Sequence, residues 1–194
     1  MDSVPSNAAV AVGRTKPQLL NIVQINLHHC KTAGAELLLS LSKLEVDIAL
    51  VQEPYIFKNK VTGLGSERYI TYATSNGEKV RTCIVSRKNL NLIYLNNFSG
   101  GDATAVRLET GTGKVIFLVS LYLPFEYPDP PGQVVEELVT KLGGKGSLIV
   151  GCDANAHHSQ WGSSNTNARE AGVISTKGRL TDGWARLNRH RILC

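Results

Sequence analysis

Apolar runs alternate with polar breaks along most of the chain, and their lengths predict the elements. Leu19–Leu27 reads as a buried strand. After a polar break, Leu37, Leu38, Leu41 and Leu44 recur at helical spacing and predict an amphipathic helix over Ala33–Glu45. Asp47–Gln52 (DIALVQ) is again a short apolar strand, so the chain opens as strand, helix, strand, which points to an α/β protein. Four short strands follow at Tyr69–Thr74, Thr82–Ser86, Leu92–Leu95 and Thr104–Leu108, separated by Asn, Gly and Ser. Glu109–Lys114 (ETGTGK) reads as a hairpin loop into a strong strand, Val115–Leu121. Pro128, Pro130 and Pro131 break the chain before a second helical face over Gln133–Leu142. Gly143–Gly146 ends that helix, and Ser147–Cys152 (SLIVGC) is another buried strand. Beyond Trp161 the periodicity weakens, with Leu180, Trp184 and Leu187 marking one short helix.

A chain of 194 residues is most simply one domain. It can bury roughly 70% of its unfolded surface, so it needs no disulfide or metal to hold a core. Its 42% hydrophobic and 19% charged residues describe a globular protein. The longest charge-free apolar run, Val115–Phe125, falls short of the ~20 residues a bilayer requires, so no membrane partner is expected. Met1–Gln18 lacks the basic start and apolar stretch of a secretory signal, and Cys30, Cys83, Cys152 and Cys194 form no C-x-x-C pair. Both features predict reduced thiols and an intracellular location. The net charge of +5 sits almost wholly at one end. Residues 163–194 hold Arg169, Lys177, Arg179, Arg186, Arg189 and Arg191 against Glu170 and Asp182. The nearly neutral remainder gives no charge argument for a polyanion partner.

Polar residues gather where the apolar runs stop. Asn26 closes the first strand and Glu53 follows the second; Tyr122 follows the Val115 run, and Asp153 with Asn155 follows the Ser147 run. In sheets with crossover helices, ligands bind beyond the carboxyl ends of strands, so these strand ends predict one shared pocket. Two carboxylates and two amides, without zinc-type Cys or His spacing, suit a hard cation such as Mg2+ or Mn2+. A cation held by so few carboxylates keeps positions open for a phosphate oxygen.

Asn26 within VQINL, Gln52-Glu53-Pro54, Ser120-Leu121-Tyr122-Leu123-Pro124 and Gly151-Cys152-Asp153-Ala154-Asn155-Ala156-His157 stand in an order that resembles the endonuclease/exonuclease/phosphatase superfamily. The wording is most similar to the apurinic-type endonuclease domain of non-LTR retrotransposons, in which Asn-Ala-His-His and a following Trp-Gly (here Trp161-Gly162) are typical. The resemblance spans Leu19 to Asn167. It implies a four-layer α/β sandwich of two mixed sheets flanked by helices, and a metal-dependent phosphodiesterase that nicks DNA. By the same resemblance, Glu53 binds the metal and Asn26 helps position it. Asp153 activates the attacking water, Asn155 holds a phosphate oxygen, and Tyr122 donates to the charged transition state. A DNA partner, a nuclear location, an accompanying reverse transcriptase and no small-molecule cofactor follow from the same resemblance. His157 and His158 are read as loop histidines beside Trp161.

The resemblance breaks toward the C-terminus. The family ends in a Ser-Asp-His motif whose histidine acts as catalytic base or transition-state stabiliser, and this sequence contains no Ser-Asp-His. Glu170 stands where Gly is usual, and the basic residues after it do not follow the pattern. The expected organisation is a flexible segment at 1–17, a partial domain at 18–167 missing its C-terminal strands, and a divergent basic tail at 168–194. A feeble or inactive nuclease is expected, because losing a general base costs ~10²–10⁴ in rate. Two rival readings stand beside it: a non-catalytic remnant that binds nucleic acid through the basic tail, and a phosphatase branch of the superfamily. His190, with no aspartate beside it, does not replace the missing histidine. Cys83 and Cys152 are expected to be buried apolar groups. His28-His29-Cys30 is read as a loop into the helix, since neighbours on an extended segment point to opposite sides. Neither Gly63-Leu64-Gly65 nor Gly143–Gly146 fits a phosphate loop.

Overall fold

The computed structural model describes residues 19–75, 77, 79–125 and 132–155, with the backbone alone at 132 and 133. The first strand, β1 (Ile22–Asn26), is followed by α1 (Lys31–Lys43) and β2 (Ile48–Gln52). A small hairpin of β3 (Ile56–Phe57) and β4 (Lys60–Val61) precedes β5 (Tyr69–Tyr72), β6 (Thr82–Arg87) and β7 (Leu92–Tyr94). The chain continues through β8 (Ala103–Glu109), β9 (Val115–Tyr122), α2 (Gly132–Leu138) and β10 (Ser147–Asp153). Two four-stranded sheets result, ordered β1-β2-β6-β5 and β10-β9-β8-β7. Each contains one parallel pair, β1 with β2 and β9 with β10; all other pairs are antiparallel. Both sheets are therefore mixed, and in each a helix lies in the crossover between the parallel strands.

Strand alternation sorts the side chains into layers. On the first sheet Ala49, Val51, Cys83 and Val85 pack with Leu37 and Leu41 of α1. Ile48, Leu50 and Ile84 on the opposite face meet Val106, Leu108 and Leu118 of the second sheet. The outer face of that sheet, with Phe117, Val119 and Leu121, is covered by Leu138 and Leu142. The order is helix, sheet, sheet, helix, the four-layer sandwich that the resemblance implied. All five residues of β2 are buried, as a strand covered on both faces must be.

Details depart from the sequence reading for local reasons. Helix α1 starts two residues earlier than expected, because Cys30 caps it: its Sγ accepts the Ala33 N–H at 3.4 Å. Leu44 caps the other end of α1 and is exposed rather than part of the buried stripe. The second helix ends its regular turns at Leu138 and continues as a wide π-turn over Val139–Gly143. The β3–β4 hairpin was not anticipated; Lys58 and Asn59 make its turn with φ of 50° and 58°. The expected features at 1–17, at Pro128, Pro130 and Pro131, at His157, His158 and Trp161, at the Leu180–Leu187 helix and at the basic tail lie outside the described residues.

Candidate active site

The face shared by the two sheets changes character along its length. Ile22, Ile48, Leu50, Ile84 and Leu118 fill one end. Two residues further along, Gln24, Gln52, Thr82, Thr104 and Ser120 form a hydrogen-bonded seam. Gln52 Nε2 donates to Ser120 Oγ at 3.0 Å and to the Gly151 carbonyl at 3.1 Å. Ser120 Oγ donates to the Val51 carbonyl at 2.8 Å, and Gln24 Nε2 donates to Gln52 Oε1 and to the Cys152 carbonyl. The Thr82 and Thr104 hydroxyls meet at 2.9 Å. Among the described residues no buried side-chain nitrogen or oxygen lacks a partner. At its far end this face reaches solvent through Asn26, Tyr122 and Asp153, the last residues of β1, β9 and β10.

These strand ends converge. Asn26 Nδ2 donates across the sheets to Asp153 Oδ2 at 2.5 Å. The other Asp153 oxygen accepts the Asn155 N–H at 3.0 Å, and Asn155 Nδ2 donates to the Leu123 carbonyl at 2.9 Å. Glu53 follows β2 in a left-handed conformation with φ of 48°, and its carboxylate lies 3.3 Å from His28 Nδ1. Its N–H donates to the Arg81 carbonyl at 2.8 Å, and its carbonyl accepts the His29 N–H at 2.8 Å. Among the described residues, His28, His29, Glu53 and Asn155 all have positive φ, a local concentration of strain typical of working sites.

Tyr122 joins the two halves. Burial holds its phenol pKa above the ordinary value; a hydrogen bond with Asn155 opposes the shift, while the charges of Glu53 and Asp153 and a hydrogen bond to Glu53 reinforce it. The hydroxyl is thus kept protonated, as a donor, between the carboxylates. Asn26, Glu53, Tyr122, Asp153 and Asn155 form one cluster.

Comparison with solved structures finds the endonuclease domain of TRAS1, a telomere-specific non-LTR retrotransposon. It is 30% identical with a TM-score of 0.66, and the match covers 84% of this chain and 71% of that one. The chain belongs to the non-LTR retrotransposon endonucleases, within the endonuclease/exonuclease/phosphatase superfamily. An endonuclease/exonuclease/phosphatase family protein from Leptotrichia buccalis C-1013-b shares the fold at 14% identity and TM-score 0.53, covering 81% of this chain and 72% of its own. So does D. rerio TDP2 complexed with single strand DNA product, at 17% identity and TM-score 0.50, covering 75% of this chain and 66% of that one. Protein-family models and curated proteins give no match. The family is one of enzymes of the nuclease and phosphodiesterase type, and the chain is an enzyme by family resemblance.

Several residues beside this cluster escaped the sequence reading. His28 Nδ1 lies 3.3 Å and His29 Nε2 4.0 Å from the Glu53 carboxylate. The pair does form a loop into α1, but it is not extended. With φ of 48° and 55°, the opposite-sides rule does not apply and both rings reach Glu53. The signal available in sequence was the unusual doublet itself. Arg81 and Asp102, which pair beside Tyr122, were not singled out because single charges between strands are ordinary. A groove of about 510 Å3 opens beside His29, lined by Tyr55, Asn59 and Lys79.

Among the described residues no three His, Cys, Asp or Glu side chains are arranged as a metal cage. The donors present still suit a hard ion. The carboxylates of Glu53 and Asp153 both act on the Tyr122 hydroxyl, concentrating negative charge there; Asn26 turns its amide nitrogen to Asp153, and its side-chain carbonyl oxygen accepts the His28 N–H at 2.7 Å. Magnesium characteristically takes one or two carboxylates and keeps several waters.

Proposed function

We propose that this endonuclease domain hydrolyses DNA phosphodiester bonds with a divalent cation, Mg2+ or Mn2+, held by Glu53 with help from Asn26. The cluster of Asn26, Glu53, Tyr122, Asp153 and Asn155 carries this reading, together with the kinship to a retrotransposon endonuclease. The cation, when bound, offsets charge on the scissile phosphate. Asp153 accepts from Asn26 and from the Asn155 N–H, which fixes its carboxylate for taking a proton from an attacking water. Tyr122, held protonated, donates to the oxygen on which charge develops. Asn155, anchored on the Leu123 carbonyl, steadies a phosphate oxygen. The groove beside His29, with Lys79 on its wall, gives a DNA strand room next to Glu53. A DNA substrate in chromosomes places the work in the nucleus.

The 194 residues contain no Ser-Asp-His, so their turnover on their own is slow, by ~10²–10⁴ relative to a domain with that base. Nicking of supercoiled plasmid by this chain, with Mg2+ or Mn2+ against chelator, tests the proposal. Mn2+ binding followed by water-proton relaxation adds a readout independent of turnover. The expected result is slow, cation-dependent nicking and bound Mn2+, both lost in Glu53→Gln. Nicking that persists in chelator or in Glu53→Gln overturns the reading of the site, and fast turnover overturns the slowness.

A further inference from the structure

We propose that Arg81 and Asp102 are a positioning pair that sets the Tyr122 ring and locks it to the strand end bearing Glu53. The inference rests on the reading of Tyr122 and Glu53 as working residues. Arg81 stands just before β6 in the first sheet, and Asp102 just before β8 in the second. The guanidinium grips the carboxylate with two parallel bonds, Nε to Oδ1 and Nη2 to Oδ2, the latter at 2.7 Å. Such a fork fixes the plane of the guanidinium as well as its place. That plane carries the Arg81 Cζ to 5.2 Å from the centre of the Tyr122 ring, within cation–π range.

The main chain runs through the same two residues. Arg81 accepts the Glu53 N–H at 2.8 Å and donates its own N–H to the Gly101 carbonyl at 2.7 Å; Asp102 accepts the Tyr122 N–H at 2.8 Å. A continuous path therefore leads from Glu53 through Arg81 and the Gly101–Asp102 segment to Tyr122, crossing from one sheet to the other. Only the side-chain half of it, fork and ring contact, is open to substitution. Asp102 offsets the Arg81 charge, which distinguishes this pair from a free cation waiting for phosphate. Both side chains are about one-fifth exposed, enough to hold a shape and too little for a mobile surface pair.

The test compares Arg81→Met, Asp102→Asn, Tyr122→Phe and the Arg81→Met/Tyr122→Phe double variant in the whole chain. Single-turnover and steady-state nicking give kcat and KM, and the ring resonances of labelled tyrosine, assigned by their loss in Tyr122→Phe, report the ring. Arg81→Met is expected to move the Tyr122 resonances and lower kcat by about tenfold or more, with KM unchanged within about twofold. In the Tyr122→Phe background the same change has little further effect, a dependence that a merely structural role lacks. Should Arg81→Met fail to fold, Arg81→Lys keeps the charge without the fork and shows the same pattern in smaller measure. Unmoved resonances with unchanged kcat overturn the inference. A raised KM with unchanged kcat overturns it too, since Arg81 then contacts the DNA. A Tyr122→Phe chain as active as the parent strikes the reading of Tyr122 itself, and with it any catalytic purpose for the pair, whatever the resonances do.

Discussion

Replacing Gly151 by alanine inserts a methyl group between the two sheets where there is no room for one. A Cβ at this position lies 2.8 Å from Leu50 Cδ1, 2.9 Å from Leu50 Cβ and 3.2 Å from Gln24 Cγ. Comfortable carbon–carbon contact is about 3.5–4.0 Å, so the closest approaches are short by roughly 0.6 Å or more. A rotamer change moves Cδ1 but not Cβ, which is fixed to the backbone of the fully buried strand β2. The sheets must part or β10 must slide. Overpacking of this kind costs about 1–3 kcal/mol, which in a chain of this size lowers Tm by roughly 2–4 °C for each kcal/mol. Urea and thermal denaturation of Gly151→Ala, Leu50→Ala and the double variant measure it. Leu50→Ala alone costs about 2–5 kcal/mol through its cavity. In the double variant the contact with Leu50 Cδ1 is gone but the contact with Leu50 Cβ remains, so the added methyl still costs stability there. A Gly151→Ala chain within about 0.5 kcal/mol of the parent refutes the claim that the sheets meet at this glycine.

Gln52→Leu removes the amide that binds Ser120 Oγ and the Gly151 carbonyl in the buried seam, leaving acceptors behind; denaturation should show a loss of about 1–3 kcal/mol, and a loss under about 0.5 kcal/mol contradicts the seam's role. Burial pushes the Cys83 thiol well above its ordinary pKa, so the folded chain excludes the thiolate that the unfolded chain admits. That contribution is fully present below about pH 8.5 and fades as pH rises toward the raised value. Thermal melts between neutral and alkaline pH should fall less steeply in Cys83→Ala than in the parent, and equal slopes show that the thiol is not shielded.

How much of this was legible in the sequence depended on the range of the interaction. The β1-α1-β2 opening could be read because DIALVQ is apolar on both faces and the leucines of α1 repeat at helical spacing. The gathering of Asn26, Glu53, Tyr122, Asp153 and Asn155 could be read because parallel strands bring their carboxyl ends to the same edge. What escaped depends on conformation or on distant partners. The β3–β4 hairpin turns on Lys58 and Asn59 in left-handed conformations, without the Asn-Gly pair that announces such a turn. His28 and His29 reach Glu53 because both have positive φ, which no periodicity records. Arg81 and Asp102 stand 21 residues apart in different sheets, and only the sandwich brings them together.

The site and the core are two ends of one surface. Along β1 the inter-sheet positions run Ile22, Gln24, Asn26; along β2, Ile48, Leu50, Gln52; along β9, Leu118, Ser120, Tyr122; along β10, Ile149, Gly151, Asp153. Each strand passes from apolar to polar toward its carboxyl end, so the sheets are held by burial at one end and by matched hydrogen bonds at the other. An apolar seam would bind the sheets as firmly, but it would tolerate sliding, because dispersion has little directional preference. The Gln52–Ser120–Gly151 bonds and the Asn26–Asp153 bond are directional and fix the register of the first sheet on the second. Glu53 and Asp153 sit on different sheets, one residue beyond and two residues beyond Gln52 and Gly151 respectively. Their separation, and any shared cation, therefore depends on a register that these buried polar bonds set.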